Sequence, residues 1–173
     1  MRERKLAMAN NLPNLIGLGV QKSGTSWLAE ILASHPEISL PKHRKEIHFF
    51  DQNFEKGVSW YASFFDKQSA RYLCEFTPSY LFDPTVPARV AQTLNNDTRF
   101  IVVLREPTQR LISHYKYNKQ QHRSHGTIID FAKQHPSARA RGYYSEQLER
   151  WLSLFPRDNF LILFFEEITK NPE

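Results

Sequence analysis

Residues 21–26 combine the side chains and the backbone freedom that an anion-binding turn requires. The run QKSGTS holds a lysine, three hydroxyl side chains and a glycine that allows close approach of the backbone to a ligand. It follows an apolar segment, residues 15–20, and precedes a segment in which apolar residues recur at helical spacing. A turn between a strand and a helix directs backbone N–H groups and the positive helix end at one point. The spacing therefore predicts a phosphate site; the alternative is a capped helix start beside an exposed lysine.

This turn differs from the Walker A loop of metal-dependent nucleotide kinases. That loop places a lysine directly after its last glycine, whereas here Thr25 follows Gly24 and Lys22 comes earlier. No apolar strand ends in the aspartate that would help to hold magnesium. We therefore predict phosphate binding without a metal ion. A P-loop nucleotide kinase is an alternative with a similar phosphate loop, and the two missing features argue against it.

A second candidate group follows the apolar run at residues 100–104. Arg105 ends this run, and Ser113 comes eight positions later, about two turns into the next predicted helix. Ligands of doubly wound sheets collect at the carboxyl ends of the strands, so Arg105 and residues 21–26 can face one crevice. Arg105 would bind a phosphate through its planar guanidinium, and Ser113 would add a hydroxyl. The alternative is a surface ion pair for Arg105 and a packed helix position for Ser113.

The elements that must position these residues alternate between strands and helices. Strand patterns occupy residues 15–20, 38–40, 71–76, 100–104 and 159–165, and helix patterns occupy residues 27–32, 58–65, 84–94, 107–122 and 144–155. Such alternation needs crossover connections and predicts an α/β fold, a P-loop-type parallel sheet flanked by helices. Polar residues 1–12 are expected to form a loose arm before a single domain, residues 13–173. Because so little chain follows the last strand, we expect this domain to be truncated at its C-terminus.

The amino-acid composition excludes several classes of protein. With 40% hydrophobic and 24% charged residues in 173, the chain is globular rather than disordered, and its apolar runs are too short to span a membrane. The formal charge of +5 suggests an anionic ligand or surface, which keeps a basic nucleic-acid-binding module as an alternative. Most aromatic residues follow core periodicity, which argues against that module. One cysteine, Cys74, allows neither an internal disulfide nor a multi-cysteine metal site, so the cytoplasm is the expected compartment.

Together, the two motifs resemble the sulfotransferases that use 3′-phosphoadenosine 5′-phosphosulfate (PAPS), especially the heparan sulfate and carbohydrate branch. The similarity covers most of residues 14–172 and rests on five motifs in the family's order. They are residues 21–26 (QKSGTS), 45–51 (KEIHFFD) and 75–80 (EFTPSY), Arg105 with Ser113, and residues 142–151 (GYYSEQLERW).

The resemblance implies two parts of a PAPS site. Arg105 and Ser113 correspond to the family's 3′-phosphate site. The 5′-phosphosulfate loop corresponds to Gln21, Lys22, Ser23, Gly24, Thr25, Ser26 and Trp27. PAPS is then the co-substrate, and no metal is expected.

The resemblance also implies a catalytic group. Glu46 corresponds to the family's base, with His48 as its partner or as a substitute base, and Asp51 to an acceptor contact. Lys22 is expected to stabilise charge on the bridging oxygen as adenosine 3′,5′-bisphosphate (PAP) leaves. The implied reaction transfers a sulfuryl group in line to a hydroxyl or amine. Without the resemblance, Glu46 would be read as an ion pair with a neighbouring lysine and His48 as a core histidine.

Two features depart from the heparan sulfate branch. That branch carries a lysine near the acceptor where this chain has Phe76, and it has a C-terminal basic loop that these residues do not include. The acceptor stays open among sugar, phenol, lipid and polyketide hydroxyls, with a carbohydrate as the resemblance implies. If the chain belongs to a larger secretory-pathway enzyme, the Golgi lumen replaces the cytoplasm as the expected compartment.

Overall fold

A computed structural model of the chain describes residues 11–41, 44–65 and 70–170. Its centre is a five-stranded sheet in spatial order β2-β3-β1-β4-β5, and each neighbouring pair is parallel. The strands are β1 (Leu15–Gly19), β2 (Ile38–Ser39), β3 (Tyr72–Phe76), β4 (Arg99–Leu104) and β5 (Phe160–Phe164). The predicted α/β fold with a parallel sheet is confirmed, and the predicted strand ends lie within one residue of these.

Helices flank the sheet and provide the crossovers. They are α1 (Thr25–Ala33), α2 (Phe49–Gln52), α3 (Val58–Ala62), α4 (Val86–Thr93), α5 (Pro107–Gln120), α6 (Ile128–Gln134), α7 (Pro136–Ala140), α8 (Tyr144–Leu152) and α9 (Phe165–Ile168), with 3₁₀ turns at Phe54–Lys56 and Arg157–Asn159. The five predicted helices correspond to α1, α3, α4, α5 and α8. The other four helices, α2, α6, α7 and α9, are not among the predicted ones, because segments of four to seven residues show little of a helical period. The five-residue α3 is predicted because its aromatic pattern continues to residue 65.

The core lies on both faces of the sheet. Alternate residues of β4 point to opposite sides: Phe100 and Val102 pack in one apolar cluster, and Ile101 and Val103 in the other. Burial on both faces explains why this strand reads as an unbroken apolar run. Cys74 is fully buried in the second cluster.

The N-terminal segment is tied to the sheet. Residues 1–10 of the predicted arm lie outside the described residues, and Leu12 packs against the core. The Asn14 side chain donates to the Arg71 carbonyl at 3.0 Å and accepts from the Leu73 N–H at 2.9 Å, which joins the start of β1 to β3. Among the described residues, no helix has the length and apolar character that crossing a membrane requires.

Two helix starts direct the motifs toward one edge of the sheet. Gly24 adopts the left-handed conformation (φ 77°) directly before α1, so the chain turns sharply as it leaves β1. Glu106 caps α5 by accepting from the N–H groups of Thr108 and Gln109 at 2.8 and 2.7 Å. Because the carboxyl ends of β1, β3 and β4 meet at this edge, the residues that follow them share one crevice.

Candidate functional site

A cavity of about 480 Å³ lies at the carboxyl edge of the sheet. Its lining joins the turn after β1 to residues from the segments before α2 and after β3, from the end of β4, from α5 and from the start of α9. The lining residues are Gln21, Lys22, Gly24, Thr25, Ser26, Lys45, Glu46, Pro78, Arg105, Ser113, Tyr117 and Phe165. The cavity therefore brings together eight of the twelve predicted site residues.

The other four predicted residues lie beside the cavity rather than in its lining. Ser23 is fully buried beneath the turn, and Trp27 lines an adjoining cleft with Phe165. His48 and Asp51 lie behind Glu46, joined to it by hydrogen bonds.

The turn itself has the shape of an anion cradle. Lys22 and Gly24 both have positive φ, and a Cβ on Gly24 would come within 3.0 Å of the Phe165 ring. The first turn of α1 contains no acidic residue, and no side chain of its N-cap covers the N–H groups there. Ser23 Oγ is buried without a hydrogen-bond partner among the described residues. The positive end of a nine-residue helix thus faces the cavity.

Arg105 is held against the turn on the cavity wall. Its Nη1 donates to the Lys22 carbonyl at 2.9 Å, and its guanidinium lies 4.4 Å from the centre of the Phe165 ring. Its own carbonyl accepts from the Tyr144 hydroxyl at 2.7 Å. Arg105 Nε is buried and has no hydrogen-bond partner within the described parts of the chain. The guanidinium is therefore fixed in place with donor capacity to spare.

Lys22 points at Tyr117, a residue that the sequence motifs do not single out. The Lys22 Nζ lies 4.0 Å from the centre of the Tyr117 ring, a cation–π contact. Burial, and secondarily the charge of Arg105, lower the pKa of Lys22. Tyr117 stands four residues after Ser113 on α5, so helical spacing from that serine is the signal that would have identified it.

Glu46, His48 and Asp51 form a chain of charged groups. His48 Nε2 lies 3.4 Å from Glu46 Oε2, and His48 Nδ1 lies 2.9 Å from Asp51 Oδ2. Hydrogen bonds to Asp51 and then to Glu46 raise the pKa of His48 to about 9. The contact with His48 lowers the pKa of Glu46, and hydrogen bonds from His48 and Ser79 lower that of Asp51 against the effect of burial. At neutral pH a protonated histidine thus lies between two carboxylates.

Lys45 connects these charged groups to residues 21–26, the predicted phosphate-binding turn (here called the phosphate turn). Its Nζ contacts Ser26 Oγ at 2.5 Å and lies 3.7 Å from Glu46 Oε1. The ion pair predicted as the alternative for Glu46 is therefore present, but on the cavity wall, where Glu46 keeps a partly exposed carboxylate. Lys42, the other lysine considered for that pair, lies outside the described residues.

Taken together, the cavity has a cationic side that can hold a polyanion and a carboxylate on its rim that can accept a proton. Among the described residues, no group of three or more His, Cys, Asp or Glu side chains is placed to hold a metal ion.

The chain is similar to known sulfotransferases. Mouse heparan sulfate glucosamine 3-O-sulfotransferase 3B1 is 33% identical over 180 residues, which cover 96% of this chain and 44% of that protein. The chain thus spans less than half the length of this curated relative. The crystal structure of a sulfotransferase from Alicyclobacillus acidocaldarius superposes with a TM-score of 0.84 at 26% identity, covering 92% of this chain and 76% of that one.

A mouse sulfotransferase complexed with PAP shares the fold, with a TM-score of 0.60, 21% identity, and coverage of 98% of this chain and 58% of that one. The profile of the family described as "Sulfotransferase domain" matches residues 12–173, nearly the whole chain. This chain belongs to the sulfotransferase-domain family.

Proposed function

We propose that this chain carries the donor site and the base of a PAPS-dependent sulfotransferase, which moves a sulfuryl group to an acceptor hydroxyl or amine. The observation that carries the proposal is the single cavity that the phosphate turn, Arg105 and Glu46 all line. A kinase or a nucleic-acid-binding module has no comparable support, because the family match covers residues 12–173.

The residues present fit a nucleotide with phosphate groups at both ends of its ribose. Residues 21–26 and the start of α1 would hold the 5′-phosphosulfate, since they offer unshared N–H groups and the buried Ser23 hydroxyl. Arg105 and Ser113 would hold the 3′-phosphate, since both line the main cavity and an adjoining one of about 260 Å³. PAPS would supply an activated sulfuryl group with PAP as its leaving group.

Lys22 would supply the charge stabilisation that a metal supplies in many phosphoryl-transfer enzymes. Its ammonium is partly desolvated, which strengthens its interaction with negative charge in the cavity. The Tyr117 ring holds the ammonium on the cavity side of the turn. Metal-independent binding is accordingly part of the proposal.

Glu46 is the better candidate for the base. A general base must be unprotonated at the working pH, and the lowered pKa of Glu46 keeps it ionised at neutral pH. His48, with its pKa raised to about 9, already carries its proton and donates to the carboxylates. In this assignment Glu46 accepts the acceptor's proton, and His48 orients Glu46.

Asp51 acts behind the base rather than on the acceptor. Its side chain is 5% exposed, and its Oδ2 contacts both His48 Nδ1 and the Ser79 hydroxyl, which donates at 2.6 Å. This differs from the acceptor contact expected from the resemblance, because burial leaves the carboxylate little access to a ligand. We propose that Asp51 holds the His48 ring in place.

An anionic carbohydrate is the acceptor class that we propose. Support comes from the name of the mouse relative, a heparan sulfate enzyme, and from the formal charge of +5. Residues 107–129 contain no acidic residue; Lys116, Lys119 and Arg123 are exposed there, and Lys116 lines the adjoining cavity. Phe76 is uncharged, and its buried ring packs against Gly17 instead of facing an acceptor.

Ligand titrations separate the proposed function from its alternatives. Thermal shifts with PAP, with ATP and magnesium, and with an oligonucleotide should show the largest stabilisation for PAP. Stronger stabilisation by ATP and magnesium would indicate a kinase, and by the oligonucleotide a nucleic-acid module. The compartment stays a prediction: the relatives give no support to the cytoplasm, and a heparan sulfate acceptor fits the alternative, the Golgi lumen.

A further inference from the structure

Behind the proposed base lies a fully buried carboxylate that the reaction does not use. Glu75, on β3, accepts hydrogen bonds from Thr77 Oγ1 at 2.7 Å and from the Tyr80 hydroxyl at 2.8 Å, both at Oε1. Its Oε2 accepts from the Tyr61 hydroxyl. Burial raises the pKa of Glu75, and the three donated hydrogen bonds oppose this effect. Burying a carboxylate costs free energy, which the three donated hydrogen bonds offset. The other contacts of these hydroxyls indicate the role of Glu75.

Two of these hydroxyls also accept hydrogen bonds from the segment that carries the base. The Tyr80 hydroxyl accepts from the backbone N–H groups of Phe49 and Phe50 at 2.9 and 3.3 Å. Thr77 Oγ1 accepts from the N–H of His48 at 3.4 Å. These N–H groups lie at the start of α2, where a helix offers them no backbone partner. The side chain of the N-cap residue, His48, does not bond them either. Both hydroxyls therefore cap α2 from the turn that follows β3.

This capping fixes an unusual backbone conformation. His48 has φ 55° and ψ 37°, the left-handed region that a residue with a side chain adopts only where its surroundings impose it. The carbonyl groups are held as well, because Arg89 Nη1 donates to the Phe50 carbonyl at 2.6 Å and Asn53 Nδ2 to that of His48 at 2.9 Å. With the backbone held in this way, the His48 ring reaches Glu46 on one side and Asp51 on the other.

We propose that Glu75 is a positioning residue for the base: through Tyr80 and Thr77 it fixes the start of α2, and thereby the contact of His48 with Glu46. The inference rests on the proposed function only in naming Glu46 the base. The position of His48 between its two carboxylates can be measured without any turnover.

Two tyrosine variants form a matched pair for the test. Tyr80→Phe and Tyr61→Phe each delete one hydroxyl donor to the same carboxylate, from rings that are both fully buried. Only Tyr80→Phe also frees the N–H groups of Phe49 and Phe50. Both variants should lose stability, but only Tyr80→Phe should disturb His48.

The readouts are kcat, PAP affinity and the His48 titration followed by NMR, with the His48 signal among the seven histidines assigned from His48→Gln. Tyr80→Phe should lower kcat about 10- to 100-fold, the cost of a misplaced catalytic group, and leave PAP affinity unchanged. Its His48 pKa should fall from about 9 toward the ordinary 6.5, because Glu46 and Asp51 no longer face the ring together. Tyr61→Phe should match the wild type in all three.

Equal losses of kcat in the two variants, or an unaltered His48 titration in Tyr80→Phe, would overturn the inference. If Tyr80→Phe does not fold, Thr77→Val replaces it, because it deletes the hydroxyl that joins Glu75 Oε1 to the N–H of His48 with little change in side-chain shape. That variant should lower kcat and the His48 pKa in the same direction as Tyr80→Phe, and a folded Thr77→Val with the wild-type kcat and titration would contradict the role. Absence of sulfuryl transfer in the wild type would refute the proposed function and leave the titration test intact.

Discussion

Replacing Arg105 with alanine should separate recognition of the 3′-phosphate from recognition of the rest of the nucleotide. One donor of this guanidinium is engaged by the Lys22 carbonyl, and its Nε is buried without a partner among the described residues. The side chain therefore has donors left for a ligand. PAP and adenosine 5′-monophosphate (AMP) differ only in the 3′-phosphate, so they report on those donors directly.

The size of the effect follows from the hydrogen bonds that remain available. A hydrogen bond to a charged group contributes about 1.5–3 kcal/mol, which corresponds to about 10- to 150-fold in affinity for PAP. The variant also loses the contacts with Lys22 and with the Phe165 ring. Those losses act on the turn and so affect PAP and AMP alike. The ratio of the two affinities therefore isolates the 3′-phosphate.

Calorimetric titration of PAP and AMP against the variants is the assay. Arg105→Ala should lose PAP affinity strongly and AMP affinity little, and Ser113→Ala should show the same pattern more mildly. Arg99→Ala is the matched control, because Arg99 begins the strand that precedes Arg105 and binds the Asp158 carbonyl at the opposite edge of the sheet. Equal losses for both nucleotides in Arg105→Ala would mean that Arg105 supports the fold or the 5′ end, and the 3′-phosphate assignment would fail.

Three further predictions concern the base, pH and metal ions. Glu46→Gln should lower kcat about 10²- to 10⁴-fold at unchanged PAP affinity, measured by initial rates and calorimetry; normal turnover here with loss in His48→Ala would make His48 the base. Because folding raises the pKa of His48, its contribution to stability is complete below 6.5 and disappears as pH rises through about 9. Across that range the melting temperature of the wild type should fall more than that of His48→Gln, and parallel curves would refute the charged contact. PAP affinity should be the same with and without a chelator, and loss of binding in the chelator would show that a metal is required.

The fold is largely predictable because its strands are buried on both faces. Residues 100–104 read as a strand without ambiguity, since neither side of the sheet offers a polar environment there. Short helices such as α2 carry no periodic signal: Phe49 and Phe50 are both buried, and hydroxyls from the turn after β3 cap this helix. Long-range contacts of this kind determine the element but leave no local pattern in the sequence.

The site is predictable where it depends on a turn or a strand end, and less so where it depends on side-chain contacts. The positions of the phosphate turn and Arg105 can be predicted from the topology. Both come after strands, β1 and β4, whose carboxyl ends lie at the same edge of the sheet. The place of Asp51 behind His48, and the contact of Lys22 with Tyr117, require the packing of separate elements. The connection from Glu75 to His48 runs through two hydroxyls and a left-handed backbone, which spacing along the chain does not encode.

Transfer of a labelled sulfuryl group from PAPS to an acceptor is the direct test of the proposed activity. The protein is incubated with sulfur-labelled PAPS and a panel of acceptors that contains heparan sulfate, a neutral polysaccharide and a simple phenol. We expect label in heparan sulfate, release of an equal amount of PAP, and no dependence on added metal. If PAP binds tightly but no acceptor is labelled, or if the phenol is labelled and heparan sulfate is not, the proposed activity is wrong.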